Sequence, residues 1–199
     1  MAAIIFDFDG TLVDSFDAVV ECVNRVCQEY AFPEIEDSYA LRMLSLRQLV
    51  KKWKIPWFRI PALAHRIKQL YAGKLLRFHK GVEQMLEALA EQHELYLLTS
   101  NSREAVEKTL AIEGCDPFEK IYADVSVFAK HRKIKSIVRK RGLENAIYVG
   151  DEIRDITASK KAGVKVVAVA WGYNFPEALR KAQPDMFAET PEDLIEMLR

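Results

Sequence analysis

Short apolar runs alternate with helix-like segments over the second half of the chain, and this alternation constrains the fold more than any other feature of the sequence. We predict strands at 94–98, 120–123, 146–149 and 164–169, separated by helices, and one more strand at 2–6. Apolar runs of about five residues that alternate with helices are typical of parallel strands covered on both faces. The sequence therefore predicts a doubly wound α/β fold.

Residues 15–80 interrupt this pattern directly after the first strand. They show helical periodicity after Asp14, after Ser38 and again from about residue 62 to residue 76, without a strand-like run. We therefore predict two domains. A Rossmann-like core, with a parallel sheet and helices on both faces, consists of residues 1–14 and 81–199, and a small all-helical cap domain consists of residues 15–80.

The charges divide along the same boundary. The 199 residues hold 29 basic and 29 acidic side chains, yet residues 15–80 carry a net charge of +6 and the remainder carries −6. The bias is strongest between residues 38 and 80, which hold eleven basic side chains and no acidic one. We infer two surfaces of opposite charge, one of them on the cap.

Hydropathy and cysteine usage limit where the protein works. The mean hydropathy is −0.10, and no apolar run approaches the ~20 residues of a membrane span, so we expect no membrane partner. The N-terminal residues lack the basic region of a signal peptide. Three cysteines without C-x-x-C spacing indicate reduced thiols, and we predict a cytoplasmic protein.

Aromatic side chains interleave with the basic residues of the cap, a pattern that also occurs in nucleic-acid-binding proteins. At helical spacing such aromatics more often form a small core, and we predict no nucleic-acid partner. The sequence gives no indication of the oligomeric state.

Polar side chains follow three of the predicted strands. Asp7, Thr99 and Asp151 each lie within two residues of a strand end, where parallel sheets bind their ligands. Asp9 follows Asp7 at a distance of ~6.6 Å on the same face of an extended segment. Asp155 lies one helical turn after Asp151.

Carboxylates that converge in this way repel each other unless a cation compensates their charge. A hard divalent ion suits carboxylate and carbonyl oxygens. Mg²⁺ suits them best, because it takes few protein ligands and adds those of a substrate phosphate. We therefore predict Mg²⁺ as the cofactor.

Three segments carry a resemblance to a known family. Asp7–Ser15 (DFDGTLVDS) resembles the nucleophile motif of the haloacid dehalogenase superfamily, in the phosphoglycolate-phosphatase-like branch whose helical cap follows that motif. Leu97–Ser100 and Gly150–Asp155 resemble the second and fourth motifs of the same superfamily, in the same order and at similar spacing.

The resemblance implies a role for each matching residue. Asp7 would attack phosphorus and form an aspartyl phosphate, and Asp9 would act as general acid and then general base. Thr99, with the Ser100 amide, would hold the phosphoryl oxygens. The implied metal ligands are the Asp7 and Asp151 carboxylates and the Asp9 carbonyl, with Asp155 as an additional or outer ligand. Thr11, Ser100 and Asn101 are the candidate substrate-binding residues.

A lysine completes the implied site, and three lysines lie 16–21 residues before Asp151: Lys130, Lys133 and Lys135. We favour Lys130 because it begins a predicted helix that faces the crevice, and the other two remain open. We also hypothesise that the cap residues Arg42, Arg47 and Lys51 offset the remaining negative charge of the site.

These observations predict a Mg²⁺-dependent phosphatase that hydrolyses a small phosphorylated metabolite, such as a phosphoglycolate-like monoester, through an aspartyl phosphate. A sugar phosphomutase or a phosphonatase of the same superfamily is an alternative. So is a phospho-accepting receiver-like signalling domain, although receivers place their lysine last and carry no helical insertion.

Overall fold

The computed structural model describes residues 2–36, 38–126, 129–143 and 145–199. Its centre is a six-stranded sheet in which every strand pairs in parallel, in the order β3-β2-β1-β4-β5-β6. The strands are β1 (Ala3–Phe6), β2 (Glu94–Leu98), β3 (Phe118–Tyr122), β4 (Ala146–Gly150), β5 (Lys165–Val169) and β6 (Met186–Ala188). This arrangement confirms the predicted doubly wound α/β fold.

Ten α-helices lie within the described residues. Four of them, with one short 3-10 turn at Trp57–Arg59, come directly after β1: α1 (Phe16–Glu29), α2 (Tyr39–Met43), α3 (Leu46–Lys52) and α4 (Ile60–Tyr71). The other six alternate with the later strands: α5 (Val82–Ala90), α6 (Arg103–Glu113), α7 (Lys130–Arg141), α8 (Ile153–Ala162), α9 (Pro176–Lys181) and α10 (Pro191–Leu198).

The alternation of side chains along β1 builds two separate cores. Ile4 and Phe6 are fully buried on one face, in a cluster with side chains of α5, α6 and α10. Ala3 and Ile5 point to the other face, where side chains of α7, α8 and α9 cover them. Both faces of β1 are covered, which agrees with its uniformly apolar sequence. The first polar residue, Asp7, follows directly after the strand.

Most predicted elements appear with small changes at their ends, and two regions differ. The single helix expected after Ser38 is divided into α2 and α3. Ser45 has extended backbone at ψ 155°, and its backbone N–H donates to Gln48 Oε1 at 2.9 Å, which begins a new helix. The short elements α9 and β6 were not predicted, since six and three residues give too little periodicity to detect.

Two antiparallel connections join the segment Phe16–Tyr71 to the sheet. Val13 pairs with Phe78, the Asp14 N–H donates to the Arg77 carbonyl, and the His79 N–H donates to the Leu12 carbonyl. The chain therefore leaves and re-enters the sheet side by side. Among the described residues, no helix is both long and apolar enough to cross a membrane.

Candidate active site

The strand order determines where the polar strand ends meet. β1 lies between β2 and β4, so Asp7, Thr99 and Asp151 emerge from three adjacent strands at the same edge. The chain runs from β1 to β2 and β3 on one side and then crosses to β4 on the other. Such a reversal opens a crevice at the carboxyl ends of the strands.

A tight turn follows β1 and depends on a glycine. The Leu12 N–H donates to the Phe8 carbonyl, and the Gly10 N–H donates to the Val13 carbonyl, both at 2.9 Å. Gly10 has φ +77°, and a Cβ atom there would lie 2.1 Å from Asp151 Oδ2. The backbone of this turn therefore approaches Asp151 as closely as only glycine permits.

Three buried carboxylates converge at this edge. Oxygens of Asp7, Asp151 and Asp155 all lie within 4.8 Å of one another. The Lys130 ammonium bridges two of these side chains, at 2.8 Å from Asp7 Oδ2 and 2.5 Å from Asp155 Oδ1. Lys130 begins α7, where its charge opposes the helix dipole, and the two carboxylates offset that cost.

The cluster holds more negative charge than its lysine neutralises. Burial raises the pKa of Asp7 to about 7, against the opposing charge of Lys130. Burial also raises the pKa of Asp151, and the carboxylates of Glu152 and Asp155 raise it further. An added cation would stabilise the ionised form of both side chains.

The donor set fits a hard divalent cation. Asp7 Oδ2 is buried and accepts no well-formed hydrogen bond from any described residue, although Lys130 lies beside it. The neighbouring donors are carboxylate oxygens, which Mg²⁺ prefers over nitrogen or sulfur. The residues at this edge therefore suit Mg²⁺.

Asp151 is held in place from two sides. Its Oδ1 accepts a hydrogen bond from the Thr11 hydroxyl at 2.7 Å, and its Oδ2 accepts one from the Tyr173 N–H at 2.7 Å. Thr11 is fully buried, so its hydroxyl faces the carboxylate and not the crevice. The next residue of the same loop, Asn174, donates its N–H to the Asp151 carbonyl.

Asp9 projects from the turn towards the helical segment. Its Oδ1 accepts a hydrogen bond from the Tyr71 hydroxyl at 2.5 Å, and the Asn101 amide lies 3.5 Å away. Burial raises the pKa of Asp9, and the hydrogen bond from Tyr71 opposes this rise. Burial and the neighbouring Asp9 also raise the pKa of Tyr71, so its hydroxyl remains the donor.

A small pocket lies between β2, α7 and α8. Its lining consists of Thr99, Ser100, Val125, Ser126, Lys130 and Arg154. The Thr99 hydroxyl accepts the Asn101 N–H at 2.9 Å, which leaves its own proton free to donate into the pocket. Asn101 is buried and its amide oxygen accepts the Ser102 N–H, so this side chain lies behind the pocket wall.

The structure separates the three candidate lysines. Lys130 is buried against Asp7 and Asp155. Lys133 packs its ammonium 4.8 Å from the centre of the Tyr122 ring, and Lys135 is exposed on the outer side of α7. Only Lys130 of these three reaches the acid cluster.

Arg154 is a site residue that sequence reasoning missed. It lies inside the segment Gly150–Asp155, between Asp151 and Asp155, the two acids that match the family motif. Although burial works against it, the carboxylates of Glu152 and Asp155 raise the pKa of Arg154, and Asp7 acts in the same direction. Its guanidinium Nη2 pairs with Glu152 Oε1, and its buried Nε has no hydrogen-bond partner among the described residues. Arg154 is therefore a second cation among the residues that line the pocket.

The sequence marks Asn174, but not Tyr71, as a candidate site residue. Asn174 follows β5 within five residues, and so carries the same strand-end signal as Thr99. Tyr71 lies on a helix 62 positions from its partner Asp9, and no local pattern could have indicated that contact.

The structure places Arg42, Arg47 and Lys51, the residues of the charge hypothesis, in different environments. Arg42 stacks between the rings of Phe16 and Phe175, 4.7 Å from each centre, and donates to the Gly172 carbonyl at 3.0 Å. Arg47 and Lys51 are exposed. Arg42 thus attaches α2 to the loop that holds Asp151.

Comparison with known proteins places this geometry in a family. The model of the haloacid dehalogenase-like hydrolases matches residues 4–169. The chain is 36% identical to a phosphoglycolate phosphatase from Synechococcus elongatus, over 98% of this chain and 96% of that protein. It is 24% identical to pyrophosphatase PpaX from Listeria innocua, over 100% and 97%.

Solved structures show the same fold. A haloacid dehalogenase-like hydrolase from Streptococcus pneumoniae superposes with a TM-score of 0.83 at 22% identity, covering 100% of this chain and 99% of the other. A hydrolase from Pseudomonas syringae superposes with a TM-score of 0.75 at 22% identity, covering 100% and 98%. From the matched residues and the full-length relatives, the chain belongs to the haloacid dehalogenase-like hydrolases.

Proposed function

We propose that this hydrolase is a Mg²⁺-dependent phosphatase that cleaves small phosphomonoesters through an aspartyl phosphate on Asp7. The observation that carries the proposal is the joint placement of an acid cluster, a buried lysine and a strand-end hydroxyl at one sheet edge. Phosphoryl transfer depends mainly on positioning and on charge stabilisation, and this edge offers both.

Asp7 is the nucleophile. One of its carboxylate oxygens attacks phosphorus, the bond from phosphorus to the alcohol oxygen breaks, and an acyl phosphate forms. Lys130 lies 2.8 Å from Oδ2, where its charge opposes the effect of burial and orients the carboxylate. A water molecule then attacks the phosphorus, which restores Asp7 and releases inorganic phosphate.

Asp9 handles the proton in both steps. As an acid it gives its proton to the departing alkoxide, so that a neutral alcohol leaves. As a base it takes a proton from the water that attacks the acyl phosphate. Its raised pKa supports the first role, because burial favours the protonated form of the carboxyl group.

The pocket beside the nucleophile receives the phosphoryl oxygens. We assign the Thr99 hydroxyl, the Ser100 amide and the Lys130 ammonium to them, with Arg154 as a further cation. Thr11 and Asn101 act from behind, by positioning Asp151 and Asp9. Mg²⁺, held by Asp7, the Asp9 carbonyl and Asp151 with Asp155 beside them, would neutralise charge on the transferring group.

Residues 15–80 form the cap in this proposal. They contain α1 to α4, and they approach the crevice through Tyr71 and Arg42. A cap of this kind excludes water and selects the leaving group. The three free cysteines agree with a cytoplasmic location, where thiols stay reduced.

The relatives suggest two substrate classes. A phosphoglycolate phosphatase is 36% identical over almost the whole chain, which favours a small phosphorylated acid. Pyrophosphate is a second candidate, since pyrophosphatase PpaX is 24% identical over the whole chain. A sugar phosphomutase and a phosphonatase of the same superfamily would use the same site and stay as alternatives. Membership of a hydrolase family argues against a receiver-like domain.

Phosphate release from a panel of substrates tests the proposal. We expect the wild type with Mg²⁺ to release phosphate from 2-phosphoglycolate, and EDTA to abolish this release. Asp7→Asn should lower kcat/KM by at least about 10³-fold, because the amide is a poor nucleophile. Asp17→Asn, an exposed acid in α1, is the matched control and should behave like the wild type.

Two results would overturn this assignment. Turnover by Asp7→Asn at the wild-type rate would exclude the covalent step, and unchanged turnover in EDTA would exclude the metal. Faster cleavage of pyrophosphate than of every monoester would select the second substrate class.

A further inference from the structure

Tyr71, on a helix of the cap segment, directly contacts Asp9. Its ring is buried, 6% exposed, and its hydroxyl donates to Asp9 Oδ1 at 2.5 Å across 62 positions of sequence. Asn101 approaches the same oxygen from the core, at a longer distance of 3.5 Å. The stronger of the two contacts therefore comes from the cap.

We propose that Tyr71 is a positioning residue that makes Asp9 competent as the acid when the cap lies over the crevice, and that Asp9 Oδ2 carries the transferred proton. The inference rests on the proposed function, in which Asp9 protonates the leaving group. Because Oδ1 is occupied as an acceptor by the Tyr71 hydroxyl, the carboxyl proton belongs on the other oxygen. Tyr71 thus fixes both the direction of the carboxyl group and the atom that donates.

The location of Tyr71 supports this link between cap and chemistry. It is the last residue of α4, from which the chain turns back to the sheet through the paired connections at Leu12–Asp14 and Arg77–His79. A second hydroxyl contact lies close by, where Ser15 at the start of α1 shares a 2.8 Å hydrogen bond with Tyr173 of the core. Both ends of the cap are therefore bound to the core beside Asp9, and the Tyr71 contact exists only while α4 is docked.

Leaving-group dependence distinguishes positioning of an acid from a structural role. A p-nitrophenolate ion leaves without much help from an acid, whereas an alkoxide needs its proton. The ratio kcat/KM covers the steps up to departure of the alcohol, so it reports the acid role of Asp9 and not its later role as a base. We would therefore measure kcat/KM for p-nitrophenyl phosphate and for an alkyl phosphate.

Tyr71→Phe removes the hydroxyl and keeps the ring. We expect kcat/KM for the alkyl phosphate to fall by about 10-fold, mostly through kcat, and that for p-nitrophenyl phosphate to fall by less than about 3-fold. Tyr96→Phe is the matched control. It removes another hydroxyl from a buried ring, one bonded to Glu94 at the opposite end of the sheet, and should leave both values unchanged.

Equal losses on the two substrates would overturn the inference, because they indicate a structural defect. So would unchanged or increased turnover of the alkyl phosphate. Asp9→Asn separates this failure from failure of the proposed function. If Asp9→Asn loses alkyl phosphate turnover selectively while Tyr71→Phe does not, Tyr71 alone is misassigned; if Asp9→Asn retains full turnover, the acid role itself is wrong.

Discussion

At the scale of single residues, the site depends on how one lysine is shared between two acids. Lys130 contacts both Asp7 and Asp155, and although burial works against it, these charges raise its pKa. The ammonium therefore stays charged in a buried position. It would keep the proposed nucleophile, Asp7, oriented, and a cation could add its charge among the three carboxylates.

Replacing Lys130 should affect catalysis far more than replacing its neighbours. We expect Lys130→Met to lower kcat/KM by at least about 10²-fold, because the phosphoryl group and Asp7 lose a fixed cation. Lys133→Met is the control of matched chemistry one helical turn away, and it should stay within about 2-fold. Steady-state kinetics on one phosphomonoester measure both, and similar losses in the two variants would contradict the assignment.

Arg154 provides a second residue-scale prediction. Arg154 lines the pocket that we assign to the phosphoryl oxygens, and its buried Nε has no hydrogen-bond partner among the described residues. Arg154→Gln should therefore raise KM by about 10-fold, since a hydrogen bond from a charged donor to a charged acceptor is lost. The exposed Arg132, replaced in the same way, should leave KM unchanged, and an unaltered KM in Arg154→Gln would exclude contact with the substrate.

At the scale of elements, the surroundings of each helix or strand decided whether the sequence could predict it. The strands β1, β2 and β4 were predictable because both of their faces are buried and their apolar runs end abruptly at polar residues. Helix α7 was predicted with its observed ends, since its apolar positions repeat at helical spacing up to Gly142. The break between α2 and α3 depended on a single capping serine, Ser45, whose signal is weak within a helical pattern.

Residues of the site were predictable when they followed a strand and were not when they approached from elsewhere. Asp7, Asp151 and Thr99 are adjacent because the strand order makes them so. Tyr71 and Arg42 reach the core from helices, and such contacts depend on how two layers dock. No periodic pattern in the sequence indicates how these helices dock on the core.

Helix α2 and the loop after β5 form one unit of contacts between cap and core. The Arg42 carbonyl accepts hydrogen bonds from the Phe175 N–H and the Asn174 amide, and its guanidinium lies between two rings. The same Asn174 accepts the Ile153 N–H at the start of α8. Docking of α2 is therefore mechanically linked to the segment that carries Asp151.

This unit gives a prediction that separates packing from charge. Arg42→Ala should lower the free energy of unfolding by about 1–2 kcal/mol, because two stacking contacts and one hydrogen bond are lost. It should also raise KM by loosening the cap. Arg47→Ala removes the same charge from an exposed position and should change neither quantity in denaturation and kinetic measurements. Equal effects of both substitutions would favour the electrostatic hypothesis.

At the scale of the whole molecule, we expect the buried acid cluster to lower the stability of the metal-free fold at neutral pH. The pKa of Asp7 is raised to about 7, above its ordinary value of 3.8, so folding favours the protonated form. The stability that this contributes is fully present below pH ~4 and is lost as the pH rises towards 7. We therefore expect the metal-free protein to become less stable over this range, and a cation bound by Asp7 would offset the loss.

Thermal unfolding with and without Mg²⁺ measures this pH-dependent loss of stability. Between pH 5 and pH 8 in EDTA, we expect the Tm of the wild type to fall relative to that of Asp7→Asn, by a few degrees. Mg²⁺ should raise the wild-type Tm more at pH 8 than at pH 5, and should have a much smaller effect on Asp7→Asn. If the Tm values of the two proteins change in parallel with pH, ionisation of Asp7 does not destabilise the fold.

In the proposed cap, the paired connections at Leu12–Asp14 and Arg77–His79 would act as the hinge, close to Asp9. Helix α4, at 1.5 Å per residue over its twelve residues, extends about 18 Å from Tyr71, so a 10° swing would carry its far end about 3 Å. In the proposed cap, the outer end, where Trp57 and Phe58 are exposed, would move most and so change the width of the entrance. Mutations there can change which molecules enter while the groups that cleave phosphate keep their alignment.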